Sequence, residues 1–142
     1  QLGVITNIGD AHMGKLGGRH GVYRAKKELF DYLCLNNCRG IAINGDDPLV
    51  VQAFKDCFGK KPVPTLTYTV NPDFGLAEIH IDHFEMDPET AHLMLSLSVN
   101  QHSFRATLPI FGLHHVHNLA AAVAKADPAL GVQRNRFSSI KP

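Results

Sequence analysis

At 142 residues, with a hydrophobic share of 44% and a formal charge of +1, the chain has the size and balance of one soluble globular domain with a real core. Fourteen basic residues against 13 acidic ones leave no basic stripe for nucleic acid and no acidic tail. The longest apolar stretch near the C-terminus, Leu119 to Ala124, stops at Lys125 and is too short to cross a bilayer, so no membrane insertion is expected.

The chain opens on Gln1-Leu2-Gly3, already within a strand-like run, and closes on Ile140-Lys141-Pro142. It reads as a piece of a longer polypeptide. Leu2 to Ile8 is an apolar run, expected as a buried strand that opens into a Gly-rich loop over residues 9–21. A helix follows at about 21–36. Gly40 to Asn44 is a second apolar strand, closed by the turn Gly45-Asp46-Asp47-Pro48. Asp47 is placed to cap a helix over about 48–57, with Pro48 in its first turn. Strand, helix, strand, helix with short connections predicts a parallel sheet flanked by helices.

The pattern changes after Gly59. Thr65 to Val70 reads as a strand, and Ala77 to Glu85 alternates, with Ile79, Ile81 and His83 on one face. Leu93, Leu95, Leu97 and Val99 alternate too, as do Phe104, Ala106 and Leu108. The stretch at about 65–108 is expected to be antiparallel, with turns at Asp87-Pro88 and Asn100-Gln101. Helical spacing returns across Leu113 to Leu130, and a short helix is expected at about 134–140. The fold class is α/β: a partial, mostly parallel sheet flanked by helices, with an antiparallel segment.

Lys26 is the position that does not fit its surroundings. At about 100° per residue, Val22, Ala25, Leu29, Phe30 and Leu33 form one apolar arc, and Lys26 falls inside it. A lysine facing a core must lose its charge, find a partner or be modified. Periodicity alone favours a plainer outcome, in which the side chain snorkels along apolar surface to water. Upstream, His12 stands in the Gly-rich loop, and a strand–loop–helix junction is where α/β enzymes keep their chemistry.

Other candidates are weaker. Gly9 to Lys15 fits G-x-x-x-x-G-K, but Leu16 follows where a phosphate-binding loop needs Ser or Thr to ligate Mg²⁺. His114 and His117 share a helix face, yet no carboxylate or thiol nearby completes a metal site, so a helix N-terminus facing ligand or solvent is the preferred reading. His80 and His83, three apart on a strand, should point to opposite faces. Cys34, Cys38 and Cys57 form no CxxC pair and read as buried or half-buried thiols of a reducing cytosol, with a Cys/His zinc site the less favoured alternative. No signal segment opens the chain, and a cytoplasmic location is expected.

Four blocks, taken together, resemble a known family. They are Ile5-Thr6-Asn7-Ile8-Gly9-Asp10-Ala11-His12-Met13, then Gly21 to Phe30, then Ile43-Asn44-Gly45-Asp46-Asp47-Pro48, then Gly112-Leu113-His114-His115-Val116-His117-Asn118 with Leu119 to Ala122. In order and spacing they are similar to the central ATPase domain of the Mur ligases, the ATP-dependent amino-acid ligases of peptidoglycan synthesis. Residues 1–142 then correspond to the C-terminal portion of that domain. Ala11 before His12 and the block around Lys26 look like the branch that adds D-alanyl-D-alanine. The resemblance implies ATP and Mg²⁺ as cofactors, and UDP-muramoyl-peptide and D-alanyl-D-alanine as substrates of the parent. It implies that His12 binds Mg²⁺, that Lys26 is carbamylated and binds a second Mg²⁺, and that Asn118 contacts adenine. Asn7, at the same loop, is taken to face the nucleotide.

Departures count too. His115 stands where the family has Asn, and the family's phosphate loop lies upstream of the region resembled. The isolated chain is therefore expected to be inactive. A folylpolyglutamate synthase shares this central domain but carries Asp-His where this chain has Ala11-His12. Another Mur ligase, or a non-catalytic domain of the same fold, are the remaining alternatives.

Overall fold

The computed structural model describes residues 1–7, 18–59, 61–71, 73, 75, 77–110 and 115–126. Their elements run β1 (Leu2–Ile5), α1 (Arg19–Leu35), β2 (Gly40–Asn44), α2 (Pro48–Phe58), β3 (Thr65–Thr69), β4 (Ile79–Met86), β5 (Leu93–Val99), β6 (His102–Leu108) and α3 (His115–Ala126). Local chemistry explains the boundaries. The Asp47 carboxylate accepts from the backbone N–H of Leu49 at 2.9 Å and of Val50 at 3.3 Å, so it caps α2 as expected. Asn100 and Gln101 have φ of 47° and 71°, and two successive positive values make the tight turn that joins β5 to β6. The short helix expected at about 134–140 lies outside the described residues.

The six strands form one sheet in the order β1-β2-β3-β4-β5-β6. β1 through β4 pair in parallel, and only the β4–β5 and β5–β6 pairings are antiparallel. This corrects the expectation of an antiparallel segment from residue 65. Alternation identifies a strand but not its direction. The α2 crossover carries the chain back to the start of the sheet, so β3 runs alongside β2.

The β1–β2 part of the sheet is covered on both faces. α1 and α2 bury Val22, Phe30, Leu33, Val50, Ala53 and Phe58 against Ile5, Ile41 and Ile43. α3 lays Val116, Ala120, Ala121 and Ala124 on the other face, over Ala42, Leu66, Tyr68, Ile79 and Ile81. β2 lies between these layers, and all five of its residues are buried. Leu33 packs so closely on Gly3 that a Cβ there would overlap its Cδ1.

β4 breaks its own period. The ladder slips between Ile81 and His83, so His80 stands opposite Ser98 and His83 opposite Ser96. Those serines share one face of β5, so the two histidines share a face as well, contrary to simple alternation. The extra residue, Asp82, accepts a hydrogen bond from Ser98 Oγ at 3.1 Å. Beyond the bulge Phe84, not His83, returns to the core side.

The three cysteines are free. Cys34 Sγ donates to the Cys57 carbonyl at 3.4 Å, and Cys57 Sγ donates to Asp31 Oδ1 at 3.0 Å. Burial, followed by the Asp31 carboxylate, pushes the Cys57 thiol from its usual 9.0 up to about 11. At pH 8 its thiolate fraction should be about two orders of magnitude below that of an ordinary cysteine. Alkylation followed by peptide mass analysis should find Cys57 reacting slowest, and Asp31→Asn should speed it. Reaction of Cys57 at the rate of an unstructured cysteine peptide would refute this.

Candidate functional site at the carboxyl edge of the sheet

Parallel α/β sheets present their ligands at the carboxyl ends of the strands. Here that edge is tied together by side chains of the β2 exit. Asn44, 4% exposed, donates from Nδ2 to the Thr6 carbonyl at 2.8 Å, and its Oδ1 accepts from Asp46 N–H at 2.9 Å. One amide therefore joins the exits of β1 and β2. Asp46 reaches in the other direction. Its Oδ2 accepts from Val70 N–H at 2.8 Å and its Oδ1 from the Thr69 hydroxyl, with Thr69 fully buried.

Among the described residues, two buried polar atoms near this carboxylate have no hydrogen-bond partner, the Tyr68 hydroxyl and His117 Nδ1. Burial, then the charges of Asp46 and Asp47, pushes the Tyr68 phenol well above its usual range. His117 Nδ1 lies 3.9 Å from Asp46 Oδ2. The first turn of α3, which carries His117 and Asn118, thus stands over the β2 exit. Asn118 is exposed there, and Asn7, two residues past the end of β1, is exposed as well.

Lys26 requires a correction. It shares its azimuth with Val22, Phe30 and Leu33, but it is exposed, as are Ala25 and Leu29. The buried face of α1 is rotated from the arc read in the sequence. Val22, Phe30 and Leu33 are buried and Tyr23, Lys27, Asp31 and Cys34 are half-buried, whereas Ala25 and Leu29, on the other side of Lys26, face out. Lys26 is not an inward lysine. It stands in the half of α1 that follows the carboxyl end of β1.

The structure therefore places Lys26 on one face of the sheet, Asn118 on the other and Asn7 in the strand layer, all at the same edge. His12, the Gly9 to Lys15 loop and His114 lie outside the described residues, as does any pairing of His114 with His117. Among the described residues no cluster of three His, Cys, Asp or Glu side chains could hold a metal ion, and no helix is long and apolar enough to cross a membrane. Asp46 and Thr69 went unread in the sequence. The signal was the Asp46-Asp47 doublet: Asp47 alone caps α2, which leaves Asp46 for another task.

Residues 1–126 match the family model described as the Mur ligase middle domain. The chain belongs to the Mur ligase family. A relative, the UDP-N-acetylmuramoyl-tripeptide–D-alanyl-D-alanine ligase of Bacillus subtilis (strain 168), is 32% identical over 124 residues. That match covers 85% of this chain and 23% of the Bacillus protein, so the chain spans under a quarter of that relative's length. A crystal structure of MurF from Acinetobacter baumannii superposes with a TM-score of 0.71 at 27% identity, over 93% of this chain and 26% of that one. MurF ligase from Thermotoga maritima, in complex with ADP, shares the fold with a TM-score of 0.73 at 15% identity, over 99% of this chain and 30% of that one. In this Mur ligase middle domain the Asn44 to Pro48 block does more than form a turn, since it holds the exits of three strands in register.

Proposed function

We propose that this chain is the nucleotide-facing part of a larger cytoplasmic ligase that uses ATP to join D-alanyl-D-alanine to a UDP-muramoyl-peptide. Membership of the Mur ligase family and the activity named for the Bacillus relative support this reading. The observation that carries it is the bracketing of one sheet edge by Lys26 of α1, Asn118 of α3 and Asn7 just past β1. The Thermotoga protein, which has the same fold, is a complex with ADP.

In the reaction, a carboxylate oxygen of the UDP-muramoyl-peptide attacks the γ-phosphorus of ATP, and ADP leaves. The amine of D-alanyl-D-alanine then attacks the acyl carbon, and phosphate leaves. The Asn118 amide offers both a donor and an acceptor to adenine, and Asn7 faces the nucleotide. Lys26 as an ammonium offers only donors, so it fits Mg²⁺ only as a carbamate, whose oxygens suit a hard cation. Its exposed position leaves the amine open to CO₂. His12 and carbamylated Lys26 would hold Mg²⁺, which would neutralise charge shared between phosphates and carboxylate.

The full-length protein should sustain ADP release over many turnovers only when both UDP-muramoyl-tripeptide and D-alanyl-D-alanine are present. Turnover of glutamate with a folate acceptor would assign it instead to the folylpolyglutamate branch, and no turnover with either pair to a non-catalytic domain. Asn118→Ala should raise the KM for ATP about tenfold with kcat within about twofold, because a hydrogen bond far from the γ-phosphate contributes uniform binding. An unchanged KM would remove Asn118 from the adenine site.

A further inference from the structure

We propose that His117 is a positioning residue for the nucleotide, acting by a hydrogen-bonded pair with Asp46 that locks the first turn of α3 and aims Asn118. The inference rests on the adenine reading of Asn118 and deepens it.

Asp46 is a fixed anchor. Its side chain is 15% exposed, and the Val70 N–H and Thr69 hydroxyl hold its two oxygens against the end of β3. His117 supplies the matching donor. The His117 side chain is 41% exposed, but its Nδ1 is shielded from water and has no hydrogen-bond partner among the described residues, which costs free energy in a folded protein. Asp46 Oδ2 is 3.9 Å away, beyond the ~3.2 Å limit of a good N–H···O bond. A shift of roughly 1 Å closes it. Ala120, Ala121 and Ala124 hold the rest of α3 on the sheet and Val116 anchors the first turn there, so the gap closes by a local turn of His117 and its adjoining backbone.

The acidic and polar groups around this spot favour closure. Asp46 and Asp47 lie on the β2–α2 turn, and the Tyr68 hydroxyl of β3, also unpartnered, lies within the field of both carboxylates. His115 is the other titratable group of the same helical turn. Negative potential on the sheet side draws an Nδ1–H donor downward, whether the imidazole is neutral or charged. Asn118 is the next residue along the backbone, so the same movement settles its amide. Closure and adenine binding must then strengthen one another, since each lowers the ordering cost of the other.

The test uses the full-length protein. His117→Ala should raise the KM for ATP about fivefold with kcat within about twofold. His117→Asn, whose amide nitrogen can stand where Nδ1 stood, should recover most of that loss. In an Asp46→Asn background, His117→Ala should have no further effect. The ¹⁵N resonance of His117 Nδ1 should move toward a hydrogen-bonded N–H when ADP is added, and this change should vanish in Asp46→Asn. If Asn118→Ala raises the KM but His117→Ala does not, the coupling is wrong and the adenine reading stands. If Asn118→Ala leaves the KM unchanged, the adenine reading falls and takes this inference with it. An Nδ1 resonance unmoved by ADP would overturn the pair on its own.

Discussion

Lys26→Ala in the full-length ligase should cut kcat/KM by roughly 100-fold or more, the scale seen when a charge-stabilising group is removed from a reacting centre. The exposure of Lys26 sharpens the reason. Burial does not prepare this amine for carbamylation, so the carbamate must be held by what binds over the carboxyl edge. The anion is favoured only when cations share its oxygens. Carbamylation should therefore depend on Mg²⁺ and nucleotide. With ¹³C-bicarbonate, a carbamate resonance should appear in the wild type when both are present, fade without them and be absent from Lys26→Ala. Acetate or formate should restore part of the mutant's activity by supplying the missing oxygens. Full activity in Lys26→Ala, or no carbamate resonance with Mg²⁺ and nucleotide bound, would return Lys26 to the role of a solvated surface lysine.

The second large effect concerns stability. Phe30 is completely buried at the centre of the α1–α2 layer. Its ring meets Phe54 and Phe58 edge-on, with centroids 6.3 Å and 6.5 Å away, and those two rings stack on each other at 5.4 Å. Phe30→Ala should destabilise the domain by about 3–5 kcal/mol through lost transfer energy and the cavity left behind. That is a large fraction of the ~5–15 kcal/mol that usually holds a domain folded. Leu35→Ala, on the same helix but 79% exposed, should change stability by less than about 0.5 kcal/mol. Urea unfolding of the full-length variants, followed by a probe in this domain, compares the two. Equal midpoints would show that the aromatic cluster is not what holds α1 to α2.

Much of this domain was legible without coordinates, wherever a rule acts over a few residues. The limits of β2 were read as Gly40 and Asn44, and those are its limits in the fold. Asp47 and Pro48 marked the start of α2 because capping and the fixed φ of proline are local effects. The four spaced blocks were enough to name the family, since their order survives whatever the side chains do in three dimensions. Other features depended on distant partners. The direction of β3 follows from where α2 returns the chain, which a strand's own alternation does not record. The bulge at Asp82 moved His83 to the outer face, because one added residue reverses every later position in a period of two. Asp46 took its role from Thr69 and Val70, contacts that span 23 and 24 positions along the chain. Lys26 shows the division most clearly. Helical periodicity yields the angles of side chains relative to one another around the axis, and it drew an arc that included Ala25, Lys26 and Leu29. Which part of that arc meets the sheet is decided only when α1 docks: Val22, Phe30 and Leu33 are buried, while Ala25, Lys26 and Leu29 face out.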